Sequence, residues 1–416
     1  MKRFTVLLMV IIVALFLSVS QANSKNTNGK ILVRYSPDGK KINDLRWETD
    51  SNYSAFLPLS IDHLGQVIVS VGNFLLVFDS AMETVRKGDY CAQRLLIDNN
   101  NNYLLQVADG IFKTDVEFNE IWKIENIHLD LYTEPITLDH NNNFYYINST
   151  CTPLKESATL VKYDEAGNFL WHISHDDEEI NPCVMQDILI YDEFIYWRAD
   201  APSNLNYNTV VYKYGNDASS YWHIEMEHAY NLMRWNEVNK NLVFASKDYL
   251  TFYSSEGELL DEYSIDEIVD ASGSAVWVSD LEIDTDGQFS ILIVDRGDTE
   301  KIILEKINQL GEPLWSAPFV YSDNYLIDFQ TQIDSENNIL ISGLSCFDVN
   351  DCNCVLFKLD SNGNHLWENR LPRCYSKEFT CSTALDEDDN IYLAGYYGYE
   401  EDDGDDDDDE PGCGCF

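Results

Sequence analysis

Two stretches of sequence decide the fold: YDEAGNFLW at residues 163–171 and LDSNGNHLW at residues 359–367. Each has an apolar residue before Asp, then a turn that contains Gly and Asn, then a strand that closes on Trp. Asp, Asn and Gly favour tight turns, whereas β-branched and aromatic residues favour strands, so each stretch predicts a β-hairpin. Looser copies of this pattern lie at residues 33–47, 78–85, 112–122, 212–222, 252–260 and 307–315.

A second hairpin pattern alternates with the first. It consists of an apolar residue followed by Asp, a few turn residues, and an apolar or aromatic strand. Clear copies begin at Ile61, Ile97, Leu138, Ile283, Ile333 and Leu385, and degenerate copies lie at Asp187 to Trp197 and Trp235 to Ala245. From Asp62 to Asp386 the chain advances 324 residues in seven intervals, about 46 per repeat, which is the period of a propeller blade.

These repeats predict an all-β fold, a β-propeller of four-stranded antiparallel blades, because one hairpin of each kind makes one sheet. Eight blades are favoured, and seven are possible if the degenerate copy at Asp187 is not a hairpin. The mature chain begins with one kind of hairpin at Val33 and ends with the other kind at Leu385. Pairing of these N- and C-terminal hairpins would close the ring and remove two free sheet edges.

Three turns share the spacing G-x-x-x-W: Gly167 with Trp171, Gly311 with Trp315, and Gly363 with Trp367. On these residues, the chain from about residue 31 to residue 396 resembles the secreted bacterial β-propeller repeat proteins, the quinoprotein-like, NHL-like or SBBP-type repeats. The resemblance implies that Trp171, Trp315 and Trp367 pack between adjacent blades. The quinoprotein docking pattern has Asp four residues before Gly together with an Ala and a Thr, and this chain departs from it. The resemblance therefore implies the fold and no quinone cofactor.

The N-terminus has the layout of a secretory signal peptide over residues 1–22. Lys2 and Arg3 precede an apolar run from Val6 to Leu17, and small residues follow at the cleavage position. This run is shorter than the roughly 20 residues that a membrane-spanning helix needs. We therefore expect a secreted or cell-surface protein without a transmembrane span in the mature chain. Its predicted parts are a short segment at residues 23–30, the propeller at residues 31–399 and a tail at residues 400–416.

The charge balance excludes one class of partner. The chain has 72 acidic and 27 basic residues, a net charge of −45, and such a field repels nucleic acid. The tail holds ten acidic residues and one Gly between Glu400 and Glu410, which predicts a disordered spacer. It ends on Cys413 and Cys415, which leaves covalent anchoring or cross-linking open beside a local disulfide in a solvated tail.

All ten Cys lie after the signal peptide, and an exported chain meets an oxidising compartment, so disulfides are expected. Cys151 and Cys183 belong to one repeat and are predicted to pair. The chain contains no C-x-x-C, the spacing typical of zinc ribbons and thioredoxin-like redox sites. The disulfide candidates in the propeller are Cys151, Cys183, Cys346, Cys352, Cys354, Cys374 and Cys381.

The two faces of the predicted ring differ. One face, the turn face, carries the short Asp, Asn and Gly turns; the other, the long-loop face, carries the longer connections and every Cys before the tail. Function on a repeat scaffold usually lies in variable loops, so the long-loop face is the predicted functional face. We expect a noncatalytic scaffold that binds a protein, glycan or cell-surface ligand there.

The alternative function is a propeller enzyme, a lyase, hydrolase or quinoprotein-like oxidoreductase, with its site on the same face. No residue is assigned a catalytic or cofactor-binding role, because no nucleophile or ligand motif stands out. A buried cluster of His, Arg and carboxylates on the axis would favour the enzyme. An exposed aromatic surface that includes Trp197, Tyr207, Tyr321 and Tyr325 would favour binding.

One metal is considered, calcium, because oxygen-bearing side chains alternate in three turns as a hard cation prefers. The same residues are typical of Asx-rich hairpin turns, which need no metal. No cofactor is therefore predicted, and calcium stays an alternative. The three turns are Asp98-x-Asn100-x-Asn102, Asp139-x-Asn141-x-Asn143 and Asp284-x-Asp286-Gly287.

Overall fold

The structure of the protein is a computed structural model. It describes residues 29–48, 58–71, 73–125, 127, 136–152, 155–176, 187–199, 209–228, 230–246, 248–265, 276–296, 300–320, 325–348, 351–371 and 381–397. The signal peptide and the acidic tail predicted from the sequence lie outside these residues. No helix in the ranges just given is long and apolar enough to cross a membrane.

The described chain is built from strands. The first sixteen are β1 (Gly29–Tyr35), β2 (Lys41–Glu48), β3 (Leu59–Ile61), β4 (Val67–Val71), β5 (Phe74–Phe78), β6 (Thr84–Gly88), β7 (Arg94–Ile97), β8 (Tyr103–Val107), β9 (Gly110–Thr114), β10 (Glu120–Glu125), β11 (Ile136–Leu138), β12 (Phe144–Thr152), β13 (Lys155–Tyr163), β14 (Phe169–Asp176), β15 (Asp187–Tyr191) and β16 (Phe194–Ala199). The next sixteen are β17 (Thr209–Gly215), β18 (Ser220–Met226), β19 (Leu232–Asn236), β20 (Asn241–Ala245), β21 (Tyr249–Ser254), β22 (Leu259–Ser264), β23 (Val276–Ile283), β24 (Phe289–Arg296), β25 (Glu300–Ile307), β26 (Pro313–Val320), β27 (Tyr325–Ile333), β28 (Ile339–Asp348), β29 (Asp351–Leu359), β30 (His365–Arg370), β31 (Ser382–Leu385) and β32 (Ile391–Tyr397).

These strands form eight four-stranded antiparallel sheets, the blades of an eight-bladed β-propeller. Blade 1 is β3–β6, blade 2 is β7–β10, and the count continues in fours to blade 7, β27–β30. Blade 8 has the order β2-β1-β32-β31, with Val33 opposite Leu393. The predicted fold and its closure by the two terminal hairpins are therefore confirmed. The degenerate copy at Asp187 is a true hairpin, β15–β16, which decides for eight blades over seven.

The core lies between the blades. The first strands of neighbouring blades contact one another, for example β15 with β19 and β19 with β23, so the first strands line a central channel. Each blade buries both faces against its neighbours, and strands buried on both faces are rich in apolar residues. One such layer joins Phe252 of blade 5 to Ile303 and Phe289 of blade 6.

The turns follow one local design. In the turn of blade 2, Oδ1 of Asp98 accepts hydrogen bonds from the backbone N of Asn100 (2.9 Å) and of Asn102 (2.7 Å). Oδ2 of Asp98 accepts a hydrogen bond from Nδ2 of Asn102 at 2.9 Å, and Asn101 has a φ of 65°. This is a type I turn followed by a left-handed residue, a common three-residue hairpin loop. The carboxylate oxygens proposed as calcium ligands thus hold the turn itself, and calcium binding stays an untested prediction.

In five of the eight blades, a lysine on the third strand and a tryptophan on the fourth strand lie at the junction with the next blade. In blade 7, Nζ of Lys358 lies 2.7 Å from Oδ2 of Asp334 and donates a hydrogen bond to the carbonyl oxygen of Pro37 in blade 8 at 3.2 Å. Nε1 of Trp367 donates to the same carbonyl oxygen at 3.1 Å. The Trp367 ring also lies against Gly39, where an added Cβ would be 2.7 Å from the ring atom Cε2. We call this arrangement the inter-blade clasp.

The clasp repeats in blades 2, 3, 4 and 6 with two variations: in blade 4 the carboxylate beside Lys213 is Glu256 of blade 5, and in blade 6 the hydrogen bond to the next blade comes from Trp315. Its Lys and Trp always face each other across the third and fourth strands, as the strand register requires. The pairs are Lys113 with Trp122, Lys162 with Trp171, Lys213 with Trp222, and Lys306 with Trp315. Nε1 of Trp171 donates to the carbonyl oxygen of Asn216 at 3.0 Å, and Nε1 of Trp315 to that of Ser361 at 3.0 Å.

Blades 1, 5 and 8 do not have the Lys and Trp of the clasp; these positions hold Val77 and Arg86 in blade 1 and Arg34 and Asn43 in blade 8. Blade 5 lacks the acid of the pair as well. Phe252 occupies the Lys position, Asp261 the Trp position and Asn236 the position of the paired carboxylate. Tyr263 performs the contact instead, because its hydroxyl donates to the carbonyl oxygen of Leu310 and its ring lies against Gly311 of blade 6. Loss of the lysine therefore coincides with loss of its acid, and no buried charge is left unpaired at this position.

Every blade also has a β-bulge in its fourth strand, one residue before the Trp position, and the bulged residue is apolar and about half exposed. Bulges bend free sheet edges and discourage edge-to-edge pairing. In blade 2 the bulged Ile121 and the clasp residue Lys113 line the same cleft. The bulged residues are Ile42 (51%), Val85 (44%), Ile121 (48%), Leu170 (46%), Tyr221 (56%), Leu260 (54%), Leu314 (47%) and Leu366 (48%).

Candidate functional site

The long-loop face is uneven in height. The second and third strands of blades 1, 2 and 5 pair over five residues, whereas those of blade 3 pair over nine, from Phe144 opposite Tyr163 to Thr152 opposite Lys155. The turn between the third and fourth strands has the same layout in all eight blades, so the extra length extends the long-loop face. At about 3.3 Å per residue, blades 3 and 7 rise roughly 13 Å above blades 1 and 2. Blade 6, with eight pairs, is nearly as high, so the face has low blades 1, 2 and 5 and high blades 3, 6 and 7.

Two disulfides lie on the high side of this face. Cys346 and Cys352 face each other across β28 and β29 of blade 7 and form one bond, with a Cα–Cα distance of 3.9 Å. Cys354 of blade 7 forms the other bond with Cys381, which directly precedes β31 of blade 8. All four half-cystines are buried. Disulfides persist in oxidising compartments, so these bonds indicate that the protein resides in one.

A cavity of about 300 Å³ opens at the channel mouth, beside the first strands of five blades. Its walls are partly apolar and partly polar, and the volume is at the lower end of the range for small-ligand pockets. Gln330 lines the cavity and donates a hydrogen bond through Nε2 to the carbonyl oxygen of Cys381 at 3.0 Å. The cavity is lined by Pro58, Leu59, Gln93, Arg94, Leu95, Leu96, Ile136, Gln330, Ser382 and Thr383.

The second disulfide therefore braces one wall of this cavity. Cys381 is bonded to blade 7 through its sulfur, and the next two residues, Ser382 and Thr383, line the cavity. The side chain of Thr383 shares a hydrogen bond with that of Ser342 at 3.0 Å, and Gln332 donates to the carbonyl oxygen of Thr383 at 2.8 Å. This wall is fixed before any ligand arrives, which reduces the entropy lost on binding.

Charged side chains of blades 2, 4, 5 and 6 surround the same channel. Asp187 faces Arg198 across β15 and β16, and the positive charges of Arg234 and Arg94 also act on its carboxylate. Burial removes water from the carboxylate and so raises the pKa of Asp187, whereas the positive charges of the three arginines oppose this shift. Three of the chain's few arginines thus converge on one carboxylate, although they come from three blades.

This charged cluster continues into blades 6 and 7. Arg234 donates hydrogen bonds to Oδ1 of Asp280 at 3.1 Å and to the carbonyl oxygen of Leu281 at 3.0 Å. Oδ2 of Asp280 accepts hydrogen bonds from the backbone N of Thr331 at 2.7 Å and from its hydroxyl at 3.0 Å. Burial raises the pKa of Glu282 to about 7, with a further contribution from Asp280 and an opposing one from Arg234. Glu282 can therefore exchange a proton near neutral pH.

The structure places the other predicted residues as follows. Trp171, Trp315 and Trp367 lie at the junctions between blades, where they contact the next blade. Trp197 is fully buried in the core between blades 3 and 4, so it does not contribute to an exposed aromatic surface of the kind that would favour binding. Tyr207 and Tyr321 lie outside the described residues, and only the backbone of Tyr325 is described.

Most of the remaining cysteines lie outside the described residues, so their predicted disulfides are not tested. Cys151 is in β12 with only its backbone described, and Cys183 lies outside the described residues, so the predicted Cys151–Cys183 bond stays a prediction. Cys374, Cys413 and Cys415 also lie outside them. Cys91 is exposed and free, in the connection between blades 1 and 2.

Comparison with known proteins gives the fold alone. The structure is similar to one described as the Dos1 propeller, with a TM-score of 0.50 and 9% sequence identity, over 82% of this chain and 92% of that one. Weaker similarity is found to the WD40 domain of SCAP from fission yeast, with a TM-score of 0.48, 10% identity and coverage of 82% and 95%. A eukaryotic initiation factor gives a TM-score of 0.47, 8% identity and coverage of 90% and 98%. No family model and no curated protein matches the sequence.

Proposed function

We propose that the protein is an exported, noncatalytic β-propeller scaffold that binds a protein, glycan or cell-surface ligand through its long-loop face. The observation that carries this proposal is the cavity at the channel mouth, with one wall braced by the Cys354–Cys381 bond. A rigid wall beside a recess is what a binding site needs in order to hold one ligand geometry.

The shape of the face supports binding of a ligand that is larger than the cavity. The cavity takes in residues of the low blades 1 and 2, while blade 7 extends beyond it. A chain end or a single sugar ring of a larger ligand would enter the recess, and the high blades would contact the rest. The net charge of −45 favours neutral or cationic ligands over polyanions.

Export of the protein is also part of the proposal. The two disulfides fit export, and the predicted signal peptide at residues 1–22 would direct it. The acidic tail that ends on Cys413 and Cys415 would then keep the propeller at a distance from whatever it is attached to.

The test combines a glycan microarray and a displayed peptide library with two matched variants. Leu59→Trp fills the cavity at the channel mouth, and Leu366→Ser alters an exposed side chain on the opposite face. We expect ligands of the wild-type protein to be lost with Leu59→Trp and retained with Leu366→Ser. Ligands that bind both variants equally would contradict the proposal.

One observation favours the alternative function, a propeller enzyme. Glu282, with its pKa near 7, lies close to Arg234 and Asp280 beside the channel, an arrangement suited to acid–base chemistry. Polysaccharide lyase and hydrolase substrates should be assayed from about pH 5 to about pH 9 with wild type and Glu282→Gln. Turnover that requires Glu282 would replace the noncatalytic proposal, whereas no turnover with any substrate would leave it standing.

A further inference from the structure

The cavity at the channel mouth differs in charge from the chain as a whole. Of the described residues that line it, Arg94 alone is charged, and none is acidic. The whole chain has 72 acidic and 27 basic residues. A cleft between the turns of blades 2 and 3, by comparison, is lined by Lys113 together with Asp164 and Glu165. A single cation in an otherwise uncharged recess is complementary to a ligand that presents a negative group.

The strand pattern shows where the side chain of Arg94 lies. Arg94 and Leu96 are on the same side of β7, because side chains alternate along a strand. Leu96 packs against the apolar layer between blades 2 and 3, which includes Ile136, so Arg94 also faces blade 3. Its charge acts on Asp187 of blade 4, beyond the short first strand of blade 3. Arg94 and Ile136 both line the cavity, so the guanidinium lies on the side of the cavity that blade 3 forms.

Positive charge exceeds negative charge around this part of the channel. Three guanidinium groups act on the carboxylate of Asp187, those of Arg94, Arg198 and Arg234. The last of them also binds Oδ1 of Asp280, at 3.1 Å. Glu282, whose pKa is about 7, becomes a third negative charge only above that pH. At about pH 6 these groups therefore carry three positive charges and two negative ones, and a carboxylate of a ligand would balance them.

The rest of the cavity favours an aliphatic group beside the carboxylate. Half of the described lining residues are apolar, namely Pro58, Leu59, Leu95, Leu96 and Ile136. An aliphatic side chain is stabilised by burial against such a wall. A sugar ring would place hydroxyl groups there without hydrogen-bond partners, which costs free energy. The polar side chains of Gln330 and Ser382 line the opposite wall, beside the Cys354–Cys381 bond, and can bond to a peptide main chain.

We propose that this cavity receives the C-terminus of a polypeptide whose last residue is aliphatic. The terminal carboxylate would bind Arg94, and the last side chain would lie against Leu59 and Ile136. The last peptide N–H would donate a hydrogen bond to Oε1 of Gln330. This inference rests on the proposed function, because it takes the cavity as the ligand site and names the class of ligand. A single carboxylate at a chain end also avoids the repulsion that a net charge of −45 exerts on a polyanion.

The test uses an array of short peptides that are attached through their N-termini and differ in their last three residues. Each peptide is present as the free acid and as the carboxamide, so the two forms differ only in the terminal charge. We expect wild type to bind free acids that end on leucine, isoleucine or valine. Fluorescence anisotropy of the best peptide at about pH 6 should show roughly tenfold weaker binding of its carboxamide.

Three variants assign this preference to Arg94. Arg94→Gln should bind the free acid as weakly as the carboxamide, because the cation is gone. Arg46→Gln is the matched control, since it removes an exposed arginine from β2 and changes the net charge equally; it should keep the preference. Arg94→Lys keeps the charge beside Asp187 but cannot form two parallel hydrogen bonds with a carboxylate, so part of the preference should remain. Circular dichroism checks the fold of each variant.

Equal binding of free acids and carboxamides by wild type would overturn the proposal, and so would an array in which no free acid binds. An unchanged preference in Arg94→Lys and Arg94→Gln would overturn it as well. The variant Leu59→Trp separates this failure from a failure of the proposed function. Ligands that ignore the terminal charge but are lost with Leu59→Trp would leave the cavity as the ligand site, whereas ligands that Leu59→Trp retains would contradict both proposals.

An acidic glycan is the other source of a carboxylate, and competition distinguishes it from a polypeptide. We expect N-acetyl-leucine to displace the labelled peptide from wild type and glucuronate at the same concentration to leave it bound. The reason is that only the former offers an aliphatic group to the apolar wall. Displacement by glucuronate alone would identify an acidic sugar as the ligand and would contradict the proposal.

Discussion

The junction between blades 7 and 8 and the junction between blades 5 and 6 solve one packing problem in different ways. The first uses a buried lysine, an indole on a glycine turn and a disulfide; the second uses Tyr263 on Gly311 and a layer of apolar side chains. At the first junction Lys358 requires Asp334, and at the second Phe252 accompanies Asn236. At these two junctions the lysine and its carboxylate are present or absent together, and one partner alone would leave an uncompensated buried charge.

The strongest test of this comparison removes one member of the pair. Burial would raise the pKa of Asp334, but hydrogen bonds from Lys358 and Asn338 outweigh this and lower it. Lys358→Met leaves the buried carboxylate without its cation, and we expect a loss of about 3–5 kcal/mol in the free energy of unfolding. Urea denaturation at about pH 8 measures it, where a proton cannot neutralise Asp334.

The double variant Lys358→Met/Asp334→Asn converts the junction to the type found in blade 5. In blade 5, Oδ1 of Asn236 accepts the turn hydrogen bond from the backbone N of Val238 at 3.0 Å, so an amide can support the turn. We expect the double variant to recover most of the stability. If it is as unstable as the single variant, the pairing argument is wrong and the lysine acts through its contact with Pro37.

The disulfide is the second largest difference between the two junctions. Cys354 and Cys381 are 27 residues apart, and closure of a loop of that length stabilises a fold by roughly 3.5 kcal/mol. Cys346 and Cys352 are six residues apart, which gives roughly 2 kcal/mol. Denaturation of Cys354→Ala/Cys381→Ala and Cys346→Ala/Cys352→Ala should show this order. The reverse order would mean that loop closure does not dominate.

The glycine turns provide a third test. Gly39 has a φ of +78°, and an added Cβ would be 2.7 Å from Cε2 of Trp367. Gly65 has a φ of +71°, with nothing within 4 Å of an added Cβ. We expect Gly39→Ala to cost about 2–3 kcal/mol, from backbone strain plus displacement of the indole, and Gly65→Ala about 1 kcal/mol, from backbone strain alone. Equal losses of thermal stability in both variants would show that the indole moves at no cost.

Much of this architecture was readable from the sequence. The Asp and Asn turns and the G-x-x-x-W spacing predicted the blades, and the offset of the terminal hairpins predicted the closure. The lysine of the clasp was missed, although the sequence shows it: Lys113, Lys162, Lys213, Lys306 and Lys358 each stand two residues before the first residue of a turn. A lysine in a predicted strand is usually read as exposed, and only the neighbouring blade reveals that it is buried.

The candidate site was much less predictable. Arg94, Asp187 and Arg234 lie in three different blades and share no motif, so their convergence depends on how the ring brings first strands together at the axis. The connectivity of Cys354 and Cys381 likewise depends on the order of strands in blade 8, which is not a local property of the sequence. Long-range closure of the ring creates both features.

The smallest expected effect concerns a carboxylate between blades 5 and 6. Glu305 lies on β25 between Ile303 and Ile307, on the side that packs against blade 5, and its side chain is buried. Burial raises the pKa of Glu305 to about 7, and a hydrogen bond from Ser316 opposes the shift. Among the described residues, its Oε2 has no hydrogen-bond partner. The apolar layer of this junction therefore contains a group that loses its proton near neutral pH.

The sign of the pH effect follows from the two pKa values. In the unfolded chain Glu305 ionises near its usual pKa of 4.5, and in the folded protein only near 7, so unfolding releases a proton between these values. Stability should therefore fall as the pH rises from about 4.5 to about 7, and then stay constant with respect to this group. Glu305→Gln removes the titration, so its stability relative to wild type should rise by about 1 kcal/mol between about pH 5 and about pH 8. Urea midpoints at both pH values measure the difference, with Glu312→Gln as the exposed control. An unchanged difference between the two pH values would show that Glu305 is already ionised at pH 5, and that this junction holds a buried charge like the others.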